Sequence, residues 1–326
     1  MDEKISNKYL VSVIIPTYNR SKYLKIAIES VLEQTHTNFE LLILDNCSND
    51  NTREVISKYS DIRIKSITHL ANIGPFANWL YGMHWSKGQF FTILGDDDFY
   101  RPNFLEVRID AFDKFKNAVA VFSDHDECDE HGTIIVSSRK LQYKYPQELS
   151  GNDLLDTIDN SNRTWIIGSG LYKRNPVVAW WDECIYAGKA FDTAIQVKIA
   201  CKSSAVIIPD KGLIYRRHSH QDSIIGGLKN ILIGHVNAYL EPLLFEFGFY
   251  QFLPLRKGAL WALYILANSA QIDGDKAQAK RILKLIYLVD GGTLEYWLLF
   301  LKIKAPYFVY FTMRLIKALK NIHFVT

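Results

Sequence analysis

None of the four cysteines, Cys47, Cys128, Cys184 and Cys201, stands in a C-x-x-C pair. That speaks against a zinc ribbon and a disulfide scaffold and suits a reduced, cytoplasmic protein. No run reaches about 18 uncharged apolar residues, so no membrane-spanning helix is expected. The opening MDEKISNKYL lacks the apolar stretch of a secretory signal. Charge of one sign is scarce too: 38 Lys and Arg against 35 Asp and Glu leave only +3, too little to argue for a nucleic-acid partner. What the chain does have is apolar bulk. Hydrophobic residues make up 48% and aromatics 13% of 326 residues, enough to bury the core of one large domain with something smaller beside it.

The first 123 residues alternate strand and helix patterns. Val11–Pro16, Phe39–Leu44, Ile62–Ile67, Gln89–Leu94 and Ala118–Ser123 read as five strands, the first a short apolar, β-branched run as in a buried parallel strand. Between them lie helical stripes. Ser21 is the expected N-cap of the first, with Leu24, Ala27, Ile28, Val31 and Leu32 on one face. Asn51 and Glu54 have capping-box spacing at the start of the second. Phe76, Trp79, Leu80 and Met83 line the third, and Pro102 opens the fourth. Strands separated by helices predict an α/β fold with a mostly parallel sheet. The regularity fades after residue 124, apart from a helix near Asp192–Cys201. From Ile224 the sequence turns helical and aliphatic, with Trp261–Ala270 and Ala277–Val289 flanking an Asp273-Gly274-Asp275 turn. The expected division is therefore a catalytic domain over 1–223, in halves 1–123 and 124–223, and a helical region over 224–326.

Parallel sheets bind ligands beyond the carboxyl ends of their strands. Those ends carry Pro16-Thr17-Tyr18-Asn19-Arg20, Asp45-Asn46, Asn72-x-Gly74 and Gly95-Asp96-Asp97-Asp98. Neither G-x-G-x-x-G nor a Walker sequence is present, so the usual helix-N-terminal phosphate cradle is missing. A divalent cation held by carboxylates would neutralise a diphosphate instead. Three adjacent carboxylates repel one another unless a cation sits among them. On composition alone a solvated acidic loop before the next helix accounts for the triplet equally well.

The blocks VSVIIPTYNR, LLILDNCSNDNT, NIGPFANW and KGQFFTILGDDDFYRP, in that order across Val11–Pro102, resemble the nucleotide-sugar-binding half of family 2 glycosyltransferases of the GT-A fold. The likeness continues more weakly through Gly168–Arg174, Phe191-Asp192 and Tyr215–Ser219. It implies an inverting, metal-dependent transfer of one sugar from a nucleotide diphosphate donor, UDP above all, to a hydroxyl of a glycan or lipid-linked acceptor in bacterial surface polysaccharide assembly. Pro16, Thr17 and Asn19 would line the nucleoside pocket, Asp45 would accept from a uracil N–H, and Asn72 would help close the pocket. Asp96 would lie near ribose and diphosphate. Asp97 would be the main ligand of Mn²⁺ or Mg²⁺, with Asp98 or Asp96 beside it and His218 as a further contact. Gly95 stands where the family often has an aspartate. A basic residue often found after N-x-G is missing, with Ala77 and Asn78 there, which shifts diphosphate neutralisation to Arg216, Arg217 or His218.

Attack by an acceptor hydroxyl needs a base. The family position falls on Asp192, which is also a candidate helix N-cap; Asp182 and Glu183 are its nearest rivals. Trp165, Trp180 and Trp181 are candidates either for stacking on an acceptor sugar or for core packing. Asp124–His131 is rich in ligand types, but Gly132 and Thr133–Val136 read as a hairpin, so no metal is expected there. From Tyr296 to Thr326, five basic residues (Lys302, Lys304, Arg314, Lys317, Lys320) stand among aromatics with no acid. That pattern fits a helix in an anionic membrane interface, or one packed on the catalytic domain or a second subunit. Two other functions share the composition: a sugar-nucleotide nucleotidyltransferase, and an inactive sugar-nucleotide-binding protein.

Overall fold

The computed structural model describes residues 8–137, 143–160, 165–184 and 190–219, and single positions between 263 and 286. The chain divides into two compact units, Met1–Gly226 and Gly227–Thr326. In the first, β1 (Val11–Thr17), α1 (Ser21–Leu32), β2 (Phe39–Asp45), α2 (Thr52–Ser57), β3 (Ile64–Thr68), α3 (Pro75–Trp85) and β4 (Phe90–Ile93) alternate as the apolar periods predict. There follow β5 (Phe99–Tyr100), α4 (Phe104–Lys114), β6 (Ala120–Cys128), β7 (Ile134–Ser137), β8 (Gln147–Ser150) and α5 (Gly151–Asn160). β9 (Leu171–Lys173), a kinked α6 (Arg174–Asp182), α7 (Phe191–Lys202) and β10 (Ser204–Arg216) complete the unit.

One sheet runs in the order β3-β2-β1-β4-β9-β6-β10-β5, with β7 on β6 and β8 on β10. β1 to β4 are mutually parallel and β6 is parallel to β10, while β9 runs antiparallel between β4 and β6. Both halves of the domain thus share one mostly parallel sheet. β2 is buried throughout and β1 nearly so, because helices cover both faces and leave no side for polar alternation. α3 approaches closely enough that only a glycine fits at Gly82. A Cβ there would lie 2.5 Å from Leu44 Cδ1 and 2.6 Å from Ile14 Cγ2. In register, Thr17 faces Asp45 and Asp45 faces Thr68, so the carboxyl ends of the first three strands are level.

Three sequence expectations are corrected. Ser21 is not an N-cap: Arg20 holds that position without a side-chain bond, and the Ser21 N–H donates to Asp50 Oδ2 at 3.0 Å. Asn51 and Glu54 form no capping box; Asp50 Oδ1 accepts from the Thr52 N–H at 3.1 Å instead. The fifth apolar run does not stop at Ser123, since β6 continues buried to Cys128. Its charged end is tolerated because Asp126 pairs with Arg101 at 2.7 Å and Glu127 with Arg217 at 2.8 Å, partners that leave no charge buried alone.

In the second unit, Leu263, Ala267, Ala279, Ile282, Leu283 and Ile286 are helical and buried, at the i, i+3, i+4, i+7 spacing of a packed face. The basic stretch Tyr296–Thr326, expected at a membrane or a subunit contact, lies outside the described residues. Among the described residues no helix is long and apolar enough to cross a membrane.

Candidate active site

The ends of β1, β2 and β3 bring a cluster of polar residues together. Asp45 closes β2 with its side chain fully buried. Its Oδ1 accepts from the Ser48 N–H at 2.9 Å, while Oδ2 has no hydrogen-bond partner and only Arg53 Nε at 3.8 Å. A buried carboxylate oxygen without a donor is costly. Thr17, opposite Asp45, is buried, and Pro16 before it is half-buried. Asn19 takes a left-handed backbone (φ 53°), donates its N–H to Ser48 Oγ at 2.9 Å and accepts from the Asn49 N–H at 2.9 Å. The two loops are thereby tied together around Asp45. Asn72 Oδ1 accepts from Asn46 Nδ2 at 3.0 Å and from the Gly74 N–H at 2.9 Å, which fixes the third loop on the second.

The acidic triplet follows β4 on the same edge, and its three carboxylates have different partners. Asp96 accepts weakly from the Tyr18 N–H at 3.3 Å. Burial first, and then the Asp97 charge, push it up to about 8, against the lowering pull of Thr17 and Arg20. Asp98 Oδ1 accepts from the Arg216 N–H at 2.9 Å, and burial with Asp97 holds its carboxyl well above the usual range. Asp97 Oδ2 meets Arg20 Nη1 at 3.1 Å and His218 Nε2 at 2.8 Å. At Gly95 a Cβ would lie 3.0 Å from both Asp97 Oδ1 and Asp98 Oδ2. The glycine therefore leaves room for the two carboxylates to fold back over the turn.

Two of the expected diphosphate partners are committed elsewhere. Arg216 is buried and donates from Nε to the Asp97 carbonyl at 2.8 Å and from Nη1 to the Glu130 carbonyl at 2.9 Å. Arg217 forms a two-bond pair with Glu127 at 2.9 and 2.8 Å. The guanidinium that reaches the triplet is that of Arg20, which the sequence reading left without a role. Its signal was its place directly after the polar turn of β1, but its contacts span 77 and 198 residues of chain.

The chemistry of these groups fits a divalent ion. Neighbouring ligands of an octahedral ion bound at about 2.1 Å lie about 3.0 Å apart, and Asp97 Oδ2 and His218 Nε2 are 2.8 Å apart. Among the described residues no group of three or more His, Cys, Asp and Glu side chains is placed to hold a metal.

On the other half of the sheet, Asp192 is half-buried in the first turn of α7. It is not the N-cap; Ala190 is, and Asp192 Oδ1 accepts from the Thr193 N–H at 2.7 Å. Phe191 packs on Phe76 and Trp79 of α3 at 5.1 and 4.6 Å, which anchors the start of α7 to the helix behind the Asn72 loop. Trp165 is half-buried, stacks on Phe122 at 6.2 Å and exchanges backbone hydrogen bonds with the Gln196 side chain. Trp181 is fully buried against Phe91 and Tyr172. It presents no face to a sugar, and the expectation of acceptor stacking there gives way to core packing.

Residues 12–170 match the family model described as Glycosyl transferase family 2. Among curated proteins, the chain is 33% identical over 147 residues to the Escherichia coli UDP-Glc:alpha-D-GlcNAc-diphosphoundecaprenol beta-1,3-glucosyltransferase WfgD, covering 45% of this chain and 55% of that one. It is 33% identical over 145 residues to an uncharacterized glycosyltransferase of Methanocaldococcus jannaschii, covering 43% and 50%. The chain spans about half the length of these relatives. Among solved structures, S. aureus TarS 1–349 in complex with UDP-GlcNAc superposes with a TM-score of 0.59 at 16% identity, over 85% of this chain and 83% of that one. Its complex with UDP gives 0.57 at 17%, over 79% and 70%. At such identities the likeness speaks for the fold.

Proposed function

Starting from a chain whose residues 12–170 form a family 2 glycosyltransferase domain of GT-A fold, we propose that the protein moves one sugar from a UDP-linked donor to a hydroxyl of a glycan or lipid-linked acceptor. The observation that carries this reading is the convergence on one sheet edge of two features. One is the open, buried Asp45 Oδ2; the other is the Asp97–His218 pair at 2.8 Å. The first suits the N3–H of uracil, with Pro16, Thr17, Asn19 and Asn72 around the nucleoside. The second suits the anionic end of the same ligand. A divalent ion, Mn²⁺ or Mg²⁺, held by Asp97 and His218 with Asp98 adjoining would supply charge neutralisation for the departing diphosphate.

Asp192 takes the proton of the acceptor hydroxyl as its oxygen attacks the anomeric carbon. One displacement at that carbon inverts its configuration. The bond to the diphosphate oxygen breaks as the new glycosidic bond forms, and UDP leaves with the electron pair. Asp96, the first member of the triplet, accepts from the Tyr18 N–H beside the nucleoside loops, a place suited to the ribose and diphosphate. The activity of WfgD, on a diphosphoundecaprenol-linked sugar, favours a lipid-linked acceptor. The basic Tyr296–Thr326 stretch would then hold the chain against an anionic bilayer.

The test is incubation of the full chain with UDP-sugars, with and without acceptor, in Mn²⁺ or in EDTA. Free UDP that requires acceptor, metal and Asp97 is expected. Release of pyrophosphate would instead support a nucleotidyltransferase, and nucleotide binding without turnover an inactive binding protein.

A further inference from the structure

A cavity of about 410 Å³ opens at the start of β4. Lys87, Gln89 and Phe90 line it on one side, and Lys173, Arg174 and Asn175, at the end of β9, on the other. The antiparallel pairing of Phe90 with Lys173 sets the two runs side by side. No carboxylate lines the cavity. β4 is four residues long, about 13 Å of strand, and the acidic triplet follows its other end. The cavity therefore lies on the edge of the sheet away from the candidate donor site.

Its three cations have no counterion. Other cations of the unit meet carboxylates: Arg63 meets Asp61, Lys65 meets Glu40 and Arg101 meets Asp126, each at 2.7 Å. Arg174 instead donates from Nε to Ser86 Oγ at 3.1 Å and from Nη2 to the His84 carbonyl at 3.3 Å. These neutral acceptors fix the guanidinium without cancelling its charge. Lys173 Nζ donates to the Lys116 carbonyl at 2.6 Å, again a neutral partner. Burial lowers its ammonium from the ordinary value, with Glu148 opposing and Lys116 adding to the effect. Gln89 Oε1 accepts from the Leu10 N–H at 2.8 Å, and neither Gln89 Nε2 nor Lys87 Nζ has a partner among the described residues. Two acids touch lining residues, and both are matched. Glu40 accepts from the Lys87 N–H at 2.6 Å and pairs with Lys65. Asp113 accepts from the Tyr9 hydroxyl at 3.1 Å and pairs with Lys116. Three unmatched positive charges around one concavity repel one another, and an anion among them relieves that repulsion.

We propose that this cavity is a second anion site, which takes a phosphate or diphosphate group on Lys87, Lys173 and Arg174. Arg174 supplies a planar fork held in place, and the two lysines supply point charges. The group belongs to a soluble phosphate compound or to the headgroup of an anionic lipid. The inference rests on the cavity and its charges, and it stands without the UDP-sugar reading.

The experiment compares wild type, Lys87→Glu, Lys173→Met and Lys58→Glu in the full chain. Lys58 is exposed at the end of α2 and does not line the cavity, so its variant matches the net charge of Lys87→Glu. The Lys87 side chain has no bond to lose, and melting temperatures check that each variant is folded. The probes are inorganic pyrophosphate in EDTA, titrated calorimetrically, and vesicles of phosphatidylglycerol or of phosphatidylcholine, followed by co-sedimentation. Pyrophosphate is expected to bind wild type and Lys58→Glu alike, and to bind Lys87→Glu and Lys173→Met about tenfold or more weakly, the size of a charge-assisted contact. The same order with phosphatidylglycerol vesicles, but not with phosphatidylcholine, assigns the group to a lipid headgroup; that order with pyrophosphate alone assigns it to a soluble phosphate. Wild type that binds no pyrophosphate, or Lys87→Glu that binds it as Lys58→Glu does, overturns the proposal. The second result would place the anion at the donor edge instead. A chain that passes this test yet transfers no sugar from UDP donors keeps the anion site and loses the functional reading.

Discussion

Replacing Asp45 by asparagine should change which base the pocket prefers, and the structure fixes the direction. The Ser48 N–H already donates to Asp45 Oδ1. In Asp45→Asn the carbonyl oxygen of the amide must keep that bond, which places the NH₂ group where Oδ2 now stands. The open acceptor becomes a donor. Uracil presents N3–H and would lose a hydrogen bond to a charged group, worth about 1.5–3 kcal/mol or roughly tenfold to 150-fold in affinity. Cytosine presents a bare N3 and would gain a neutral bond of about 0.5–1.5 kcal/mol. The UDP-to-CDP ratio should therefore fall by about 30-fold to 2,000-fold. The fold should survive, since the amide keeps the Ser48 bond and removes a buried charge whose counterion among the described residues, Arg53, is 3.8 Å away with a mostly exposed side chain. Titration of wild type and Asp45→Asn with UDP and CDP, with melting temperatures as control, decides the matter. A ratio unchanged in a folded Asp45→Asn protein would show that Asp45 does not read the base.

Asp192→Asn should lower kcat by about 10²–10⁴ while leaving donor KM near wild type, as expected for loss of a base; a normal rate of UDP release with acceptor present would remove Asp192 from that role. Gly82→Ala sets two effects against each other. Helix propensity favours alanine by about 1 kcal/mol, but its Cβ would press into Leu44 and Ile14 at 2.5–2.6 Å, and such overpacking costs about 1–3 kcal/mol. Packing should prevail, and a raised midpoint in chemical denaturation would contradict the close approach of α3. Asp61 is held down to about 2, chiefly by the Arg63 side chain. A carboxyl depressed in the fold stabilises it above the unfolded value near 3.8, and that contribution is lost as pH falls through about 2. The pair is at the surface, so Asp61→Asn should cost no more than about 1 kcal/mol at pH 6, with the gap to wild type closing in acid; a gap constant from pH 6 to pH 2 would refute the linkage.

β1, β2 and β4 were legible because they lie inside the sheet, so burial writes itself into the sequence as unbroken apolar runs such as VSVII and LLIL, whereas the edge strand β3, IKSIT, is only partly buried. Asp45 and the acidic triplet were legible as polar residues at the ends of those runs. What escaped depends on contacts far along the chain. Asp50 serves two helix starts at once, accepting from Ser21 and Thr52, and no local capping pattern reveals a donor 29 residues away. The Ser-Asp-His-Asp-Glu-Cys end of β6 looks like a loop by composition. It is a buried strand because Arg101, Lys211 and Arg217 arrive from elsewhere to pair with it. Trp181 and Trp165 are the same residue type, one fully buried and one half-buried, and only packing separates them.

The same distinction orders the charges of the site. A buried cation is stable where its partners have nothing else to bind. Arg108 satisfies this fully: it is entirely buried, and it donates to the Ser169 carbonyl at 3.0 Å, to Asp210 at 2.9 Å and to Ser123. Removing it would leave several acceptors without donors. Arg216 satisfies it through the backbone carbonyls of Asp97 and Glu130, and so fixes the backbone of the triplet. Arg20 adds a contact to the Asp97 carboxylate at 3.1 Å. The two cations thus hold the triplet at its backbone and at its middle side chain, which offsets the repulsion of three adjacent carboxylates.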